Sequence, residues 1–188
     1  MAASDAATAH EPVHLARAGA VAVITLDNPP VNTLSKAVRI AILSHLETAL
    51  ADSAVLAIVI AGAGRNLCGG AEIREFNTPA RDVYPMTRDL MNLIEAADKP
   101  VVAAVRGPTL GGGLELALGC HYRVADAAAS LGMPEVLRGI IPGAGGTQRL
   151  PRLIGLVPAL DMITSGQPIS ASQAHELGLV DDLAPADP

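Results

Sequence analysis

Aromatic side chains are almost missing from this 188-residue chain, which has no tryptophan, one phenylalanine and two tyrosines. A hydrophobic share of 50% must then be carried by Ala, Val, Leu and Ile, so any core is aliphatic. The same scarcity removes the stacking platforms that hold nucleobases. No basic cluster is present and the net charge is −6, so nucleic acid is not an expected partner. Cysteine is scarce too. Cys68 and Cys120 each lie among apolar neighbours and read as small buried hydrophobes rather than a disulfide pair. Of the five histidines (His10, His14, His45, His121, His175), only His10 and His14 fall at HxxxH spacing, across Pro12 in the opening segment, the other three are scattered, and no metal site is expected.

Long hydrophobic runs are also lacking. A stretch such as "AVLAIVIAGAG" from Ala54 is far too short to span a bilayer. The opening "MAASDAATAHEP" has no secretory h-region, contains no Arg or Lys, and carries Asp5 and Glu11, unlike an Arg-rich presequence. These features read as a soluble, cytoplasmic protein with no membrane span. Residues 1–12 read as a flexible tail, and residues 13–188 as one domain with no internal linker.

What is present is an alternation of strand and helix signals. "VHLARAGAVAVITLD" predicts a hairpin, with a strand ending near Arg17, a turn at Gly19 and a second strand over Val21 to Leu26. Apolar residues at 38, 41, 42, 46, 49 and 50 recur with helical spacing, predicting a helix from about Ser35 to Leu50. Val55 to Ile60 and Val101 to Val105 read as buried strands. Met86 to Ala97 reads as a helix, and "YRVAD" as a strand. The region after Glu135 reads as a glycine-rich turn entering a helix. "ISASQAHELGLVDDL" reads as a short helix that starts near Ser170 or Ser172 and stops at Gly178. This is an α/β pattern of strands feeding helices.

Two glycine turns stand out, "CGGAEI" at 68–73 and "LGGGLE" at 110–115. Glycine allows a backbone N–H to approach a ligand closely, and the first N–H groups of a helix have no partner within it. If both turns open helices, "GGA" before Glu72 and "GGG" before Leu114 can each aim one N–H at a common oxygen, forming an oxyanion hole for a carbonyl that becomes an enolate. No GxGxxG follows Val105 and no P-loop GK[ST] is present, which argues against a dinucleotide or nucleoside-triphosphate site.

Glu115 falls one helical turn after Gly112, among apolar neighbours, and Glu135 follows the rigid Pro134. Alone, Glu115 reads as a surface helix residue and Glu135 as a first-turn residue favoured by a helix dipole. Taken with the two donors, they read as a pair of carboxylates sharing a water, one accepting its proton and the other delivering a proton to carbon.

The segments "GAGRNLCGGAEIREF" (62–76), "VRGPTLGGGLELALGCHYRVAD" (105–126) and "LGMPEVLRGIIPGAGGTQRLPRLIG" (131–155) closely resemble the enoyl-CoA hydratase/isomerase, or crotonase, family. "NPPVNTLS" and "LPRLIG" look most like the hydratase portion of bifunctional fatty-acid oxidation enzymes. The resemblance implies a crotonase-like spiral of ββα units. It implies an acyl-CoA thioester whose carbonyl sits between the Ala71 and Gly112 N–H groups, with Gly70, Glu72, Ile73 and Gly111 as further substrate-binding positions. By the same resemblance, water adds across the double bond of a trans-2-enoyl-CoA to give a 3-hydroxyacyl-CoA. Glu115 deprotonates the water and Glu135 supplies the proton to C2. An enoyl-CoA isomerase side activity is also implied, with no cofactor beyond the CoA of the substrate, no metal, and assembly as a homo-oligomer (trimer or hexamer).

The sequence departs from the family in having Glu72 in place of an aspartate and Leu67 in place of an aromatic. It ends soon after "GLVDD", where the family continues into C-terminal helices that close the acyl pocket. The expectation is that this helical segment is missing, and a non-catalytic acyl-CoA-binding or assembly module is the alternative reading. Residues between Phe76 and Met91 are expected to line the acyl pocket, and Lys36 and Arg65 are candidates for the CoA phosphates.

Overall fold

A computed structural model describes residues 10–185, and most of the tail expected over residues 1–12 lies outside them. Strands β1 (Val13–Ala18) and β2 (Val21–Leu26) form the expected antiparallel hairpin about Gly19. Along β2 burial alternates with the two-residue period of a strand, and Ala22, Ile24 and Leu26 point inward. Strands β3 (Ala57–Gly62), β4 (Val101–Val105), β6 (Tyr122–Asp126) and β9 (Asp182–Ala184) then add in parallel, giving the order β1-β2-β3-β4-β6-β9.

Strand β3 starts two residues later than the apolar run that predicts it. Its pairing with β2 sets Ala57 opposite Val21, which leaves Val55 in the preceding turn, its N–H bonded to Asp52 O at 3.0 Å. Val55 is buried all the same, so hydrophobicity alone does not reveal where pairing begins.

A second, smaller sheet joins β5 (Pro108–Leu110), β7 (Ser130–Gly132) and β8 (Ile169–Ser170) in that order. It gives the chain its repeating logic. Strand β4 passes into β5 and then helix α3 (Gly112–Gly119), while β6 passes into β7 and then a 3-10 turn at Pro134–Arg138. Each turn of the spiral places one strand in each sheet and ends on a helical segment, which is the expected ββα unit. The short strands were not foreseen, because two or three residues are too few to display a period.

Helix α1 (Lys36–Ala51) begins at Ser35, whose Oγ accepts from the Val38 N–H at 3.4 Å. Val38, Ile42, Leu46 and Ala49 form its buried stripe. Helix α2 (Thr87–Glu95) is shorter at both ends than expected. All of α3 is buried, Glu115 included. Helices α4 (Gly146–Ile154) and α5 (Leu156–Ser165) follow, and α6 (Ala171–Glu176) is capped by Ser170 in a reciprocal pairing with Gln173, which decides between the two candidate serines. Among the described residues, the core holds no aromatic side chain. Its largest fully buried members are Ile, Leu and Met, among them Ile24, Ile58, Ile60, Met91 and Leu114.

Candidate active site

The two glycine turns meet at the N-terminus of α3. The Gly113 backbone lies directly on the Cys68 carbonyl, where any Cβ would collide, so only glycine permits this docking. A Cβ placed on Gly112 would lie 3.1 Å from the Ala71 nitrogen, which shows how closely the two amides approach. Among the described residues, neither the Ala71 nor the Gly112 N–H donates to a protein acceptor.

The reasons these two amides are unpaired differ. Gly112 is the first residue of α3, as expected. Ala71 does not open an α-helix. It forms an isolated parallel bridge with Leu34, anchored by the Leu34 N–H to Gly70 O bond at 2.8 Å, and only a 3-10 turn at Ile73–Glu75 follows. Its N–H is a strand-edge donor, which corrects the prediction of two matching helix starts.

Glu115 is 3% exposed, yet one of its oxygens is well solvated by protein. Oε1 accepts from the Ala144 N–H at 2.7 Å and the Gly146 N–H at 2.8 Å, at the entrance to α4. Burial raises the pKa of Glu115, while the two amides and the Arg149 charge oppose that rise. Glu135 lies in the 3-10 turn after Pro134 and is 9% exposed. Its Oε2 is buried with no hydrogen-bond partner. Burial pushes its pKa up to about 7, a backbone hydrogen bond opposes that rise, and the nearby charge of Glu115 adds a smaller push upward. Gly111, at φ +52°, makes room for this side chain, since a Cβ there would stand 2.8 Å from Glu135 Oε1. Burial raises both carboxyls, and they differ in what opposes it: two amides and the Arg149 charge act on Glu115, while Glu135 Oε2 has no partner and its pKa is carried further up.

Glu72 caps the 3-10 turn. Its carboxylate accepts from Thr33 Oγ1 at 3.0 Å, Arg74 N at 3.2 Å and Arg74 Nε at 3.0 Å. Burial would raise its pKa, but those bonds and the Arg74 charge outweigh burial and hold it below the usual range. The longer side chain therefore spans from the turn to Thr33.

Ala71, Glu72, Gly112, Glu115 and Glu135 all line one cleft of about 320 Å³. Gly70 and Gly111 are buried behind this lining, and Ile73 points to solvent. Phe76, Arg81, Met86, Thr87 and Arg88 line the cleft within the segment expected to form the acyl pocket, whereas Met91 is fully buried in the core. Lys36 and Arg65 are exposed and outside the lining. Cys68 and Cys120 are free and buried, with burial pushing both thiols up to about 12.

Two arginines escaped the sequence reading. Arg39, on the buried side of α1, donates to Pro85 O at 2.9 Å and Ala80 O at 2.8 Å and pairs with Glu75 at 3.3 Å, holding the cleft wall over residues 75–85. Arg149 bonds Ala144 O beside the Glu115 site. An arginine at an inward position of an otherwise apolar helix stripe was the available signal for Arg39.

Among the described residues no group of three or more His, Cys, Asp or Glu is arranged to hold a metal ion, and no helix is long and apolar enough to cross a membrane.

Residues 16–188 match the family model described as enoyl-CoA hydratase/isomerase. The peroxisomal bifunctional enzyme of Danio rerio is 58% identical over 163 residues, covering 87% of this chain and 22% of its own length. The probable enoyl-CoA hydratase of Bacillus subtilis (strain 168) is 47% identical over 165 residues, covering 85% of this chain and 64% of that protein. The crystal structure of enoyl-CoA hydratase from Bacillus anthracis superposes with a TM-score of 0.87 at 37% identity, covering 93% of this chain and 70% of that one.

Proposed function

The chain belongs to the enoyl-CoA hydratase/isomerase family, and on that premise we propose that it hydrates trans-2-enoyl-CoA to 3-hydroxyacyl-CoA as a step of fatty-acid oxidation. The observation that carries this reading is the meeting of two unpaired backbone donors and two unlike carboxyls in one cleft. The thioester carbonyl accepts from the Ala71 and Gly112 N–H groups. Ionised Glu115 takes a proton from water, whose oxygen bonds to C3. The C2=C3 electron pair moves toward the carbonyl, and the resulting enolate oxygen is stabilised by the two amides. Protonated Glu135 then gives its proton to C2. Since the thioester itself carries the developing charge, the reaction calls for neither a cofactor nor a metal.

Isomerisation needs only one base that moves a proton between carbons, so the presence of both carboxyls favours hydration, with isomerisation as a side activity. A homo-oligomer is part of the same proposal, supported by the exposure of Leu156, Val157 and Leu160 along α5 and measurable by light scattering.

The deciding experiment is a spectrophotometric hydration assay with a short and a long enoyl-CoA, run on the parent, Glu135→Gln and Glu115→Gln. Each substitution is expected to lower turnover by about 10²–10⁴-fold. Turnover at the parent rate in either variant overturns the role assigned to that residue. Acyl-CoA binding without turnover by the parent overturns the enzymatic reading.

A further inference from the structure

We propose that Arg149 is a positioning residue for Glu115: it fixes the turn at 143–146 so that two amides converge on a single carboxylate oxygen. The inference rests on the reading of Glu115 as the base.

The geometry is a question of which peptide each group holds. The Ala144 N–H belongs to the peptide joining residues 143 and 144, and the Gly146 N–H to the peptide joining 145 and 146. Both donate to Glu115 Oε1. The peptide between them, joining 144 and 145, carries the Ala144 carbonyl. That carbonyl accepts from Arg149 Nη1 at 3.1 Å. The guanidinium therefore grips the middle one of three consecutive peptides whose neighbours both grip Glu115. Since a peptide unit is planar, its orientation bears directly on the dihedrals that aim the units on either side.

The guanidinium is itself held from outside the turn. Nη2 donates to Asn92 Oδ1 at 2.8 Å and to Glu95 Oε2 at 2.6 Å, both on α2. This fork spans two elements and suits the planar guanidinium where a lysine ammonium would not reach all three acceptors. Gly145, at φ +107°, presents its bare backbone to Arg149 Nη1, and a Cβ there would strike the guanidinium. Arg149 Nε is buried without a partner, so this placement was reached at some cost in hydrogen bonding.

The guanidinium also acts by its charge. The charged groups facing Glu115 are Glu135 from the 3-10 turn and Arg149 from α4, with Arg39, Glu72, Glu75, Arg81, Asp82 and Arg88 elsewhere around the cleft. Arg149 favours the ionised form of Glu115 and supports the two amides against burial.

The test uses enoyl-CoA hydration kinetics across pH on Arg149→Met, Arg149→Lys and the double variant Asn92→Ala/Glu95→Ala. The last removes the exposed α2 anchors and leaves the cleft residues in place. Arg149→Met is expected to lower kcat on the order of tenfold to a hundredfold, as a displaced reacting group does. KM should stay near the parent value, and the acid limb of the profile should move to higher pH. Arg149→Lys and the α2 double variant should move the same quantities in the same direction by less. In a Glu115→Gln background, Arg149→Met should add no further loss of kcat, an interaction that general destabilisation would not produce.

The proposal is overturned if the α2 double variant, or a folded Arg149→Met, keeps both the parent kcat and the parent acid limb. It is overturned equally if the Arg149→Met loss is undiminished on the Glu115→Gln background. Parent turnover in Glu115→Gln alone defeats the reading of the base and this inference with it. A dead Glu115→Gln beside parent-like Arg149 variants defeats only the inference.

Discussion

Glu115 and Glu135 bring the same functional group to the same cleft, and their immediate contacts pull the two apart. Glu115 has two amide donors on one oxygen, and Glu135 Oε2 has none. The asymmetry has a thermodynamic consequence that can be measured without substrate. A folded-state pKa near 7, against an ordinary value of 4.5, means that the native state holds this proton between those limits while the unfolded chain releases it. Stability therefore falls as pH rises through that window, and the loss is complete above pH 7. Glu135→Gln removes the titration. The variant is expected to match the parent near pH 4 and to exceed it by about 3 kcal/mol at pH 8, as read by urea unfolding at each pH. A difference that does not change with pH contradicts this. Both carboxyls were legible in the sequence because charged residues beside apolar runs are conspicuous. The division between them was not, since the amides of Ala144 and Gly146 come from a turn 29 and 31 residues away along the chain.

At the scale of elements, the cleft wall between residues 72 and 86 has little regular structure, only two 3-10 turns at Ile73–Glu75 and Pro79–Asp82. It is held from outside. Arg39 reaches from α1 to the Pro85 and Ala80 carbonyls and to the Glu75 carboxylate, and Glu75 in turn accepts from the Lys36 N–H at 2.9 Å, at the start of α1. Helix and wall thus cap each other. Arg39→Met keeps the bulk of the side chain but strands these acceptors, and should cost about 3 kcal/mol in chemical denaturation. Limited proteolysis should cut first within residues 76–85. Unchanged stability would show that the wall stands without this tie. The period of α1 was readable from its apolar residues, but periodicity reports which face is inward and not what an inward arginine will find there.

At the scale of the molecule, an aliphatic core supports two sheets that share the successive turns of one spiral. Ile60, in the third of six strands of the larger sheet, is fully buried. Ile60→Ala is expected to cost about 2–5 kcal/mol in unfolding free energy, with the spread set by how far the neighbours relax into the cavity. Without aromatic side chains this core has few large groups able to swing into such a gap, which puts the expectation in the upper half of that range. A cost under about 1 kcal/mol would mean that the core repacks freely.

The sequence by itself determined the aliphatic core, the hairpin, the main parallel strands, the helix α1, and the proximity of Glu115 to the Gly112 amide. Each of these is written within a few residues, as a period, a turn or a one-turn spacing. Tertiary structure alone decided the small sheet of two- and three-residue strands, the strand-edge origin of the free Ala71 N–H, the amide pair on Glu115 and the arginine ties to α1 and α2. These depend on groups far apart in the chain, and only packing brings them within hydrogen-bond reach.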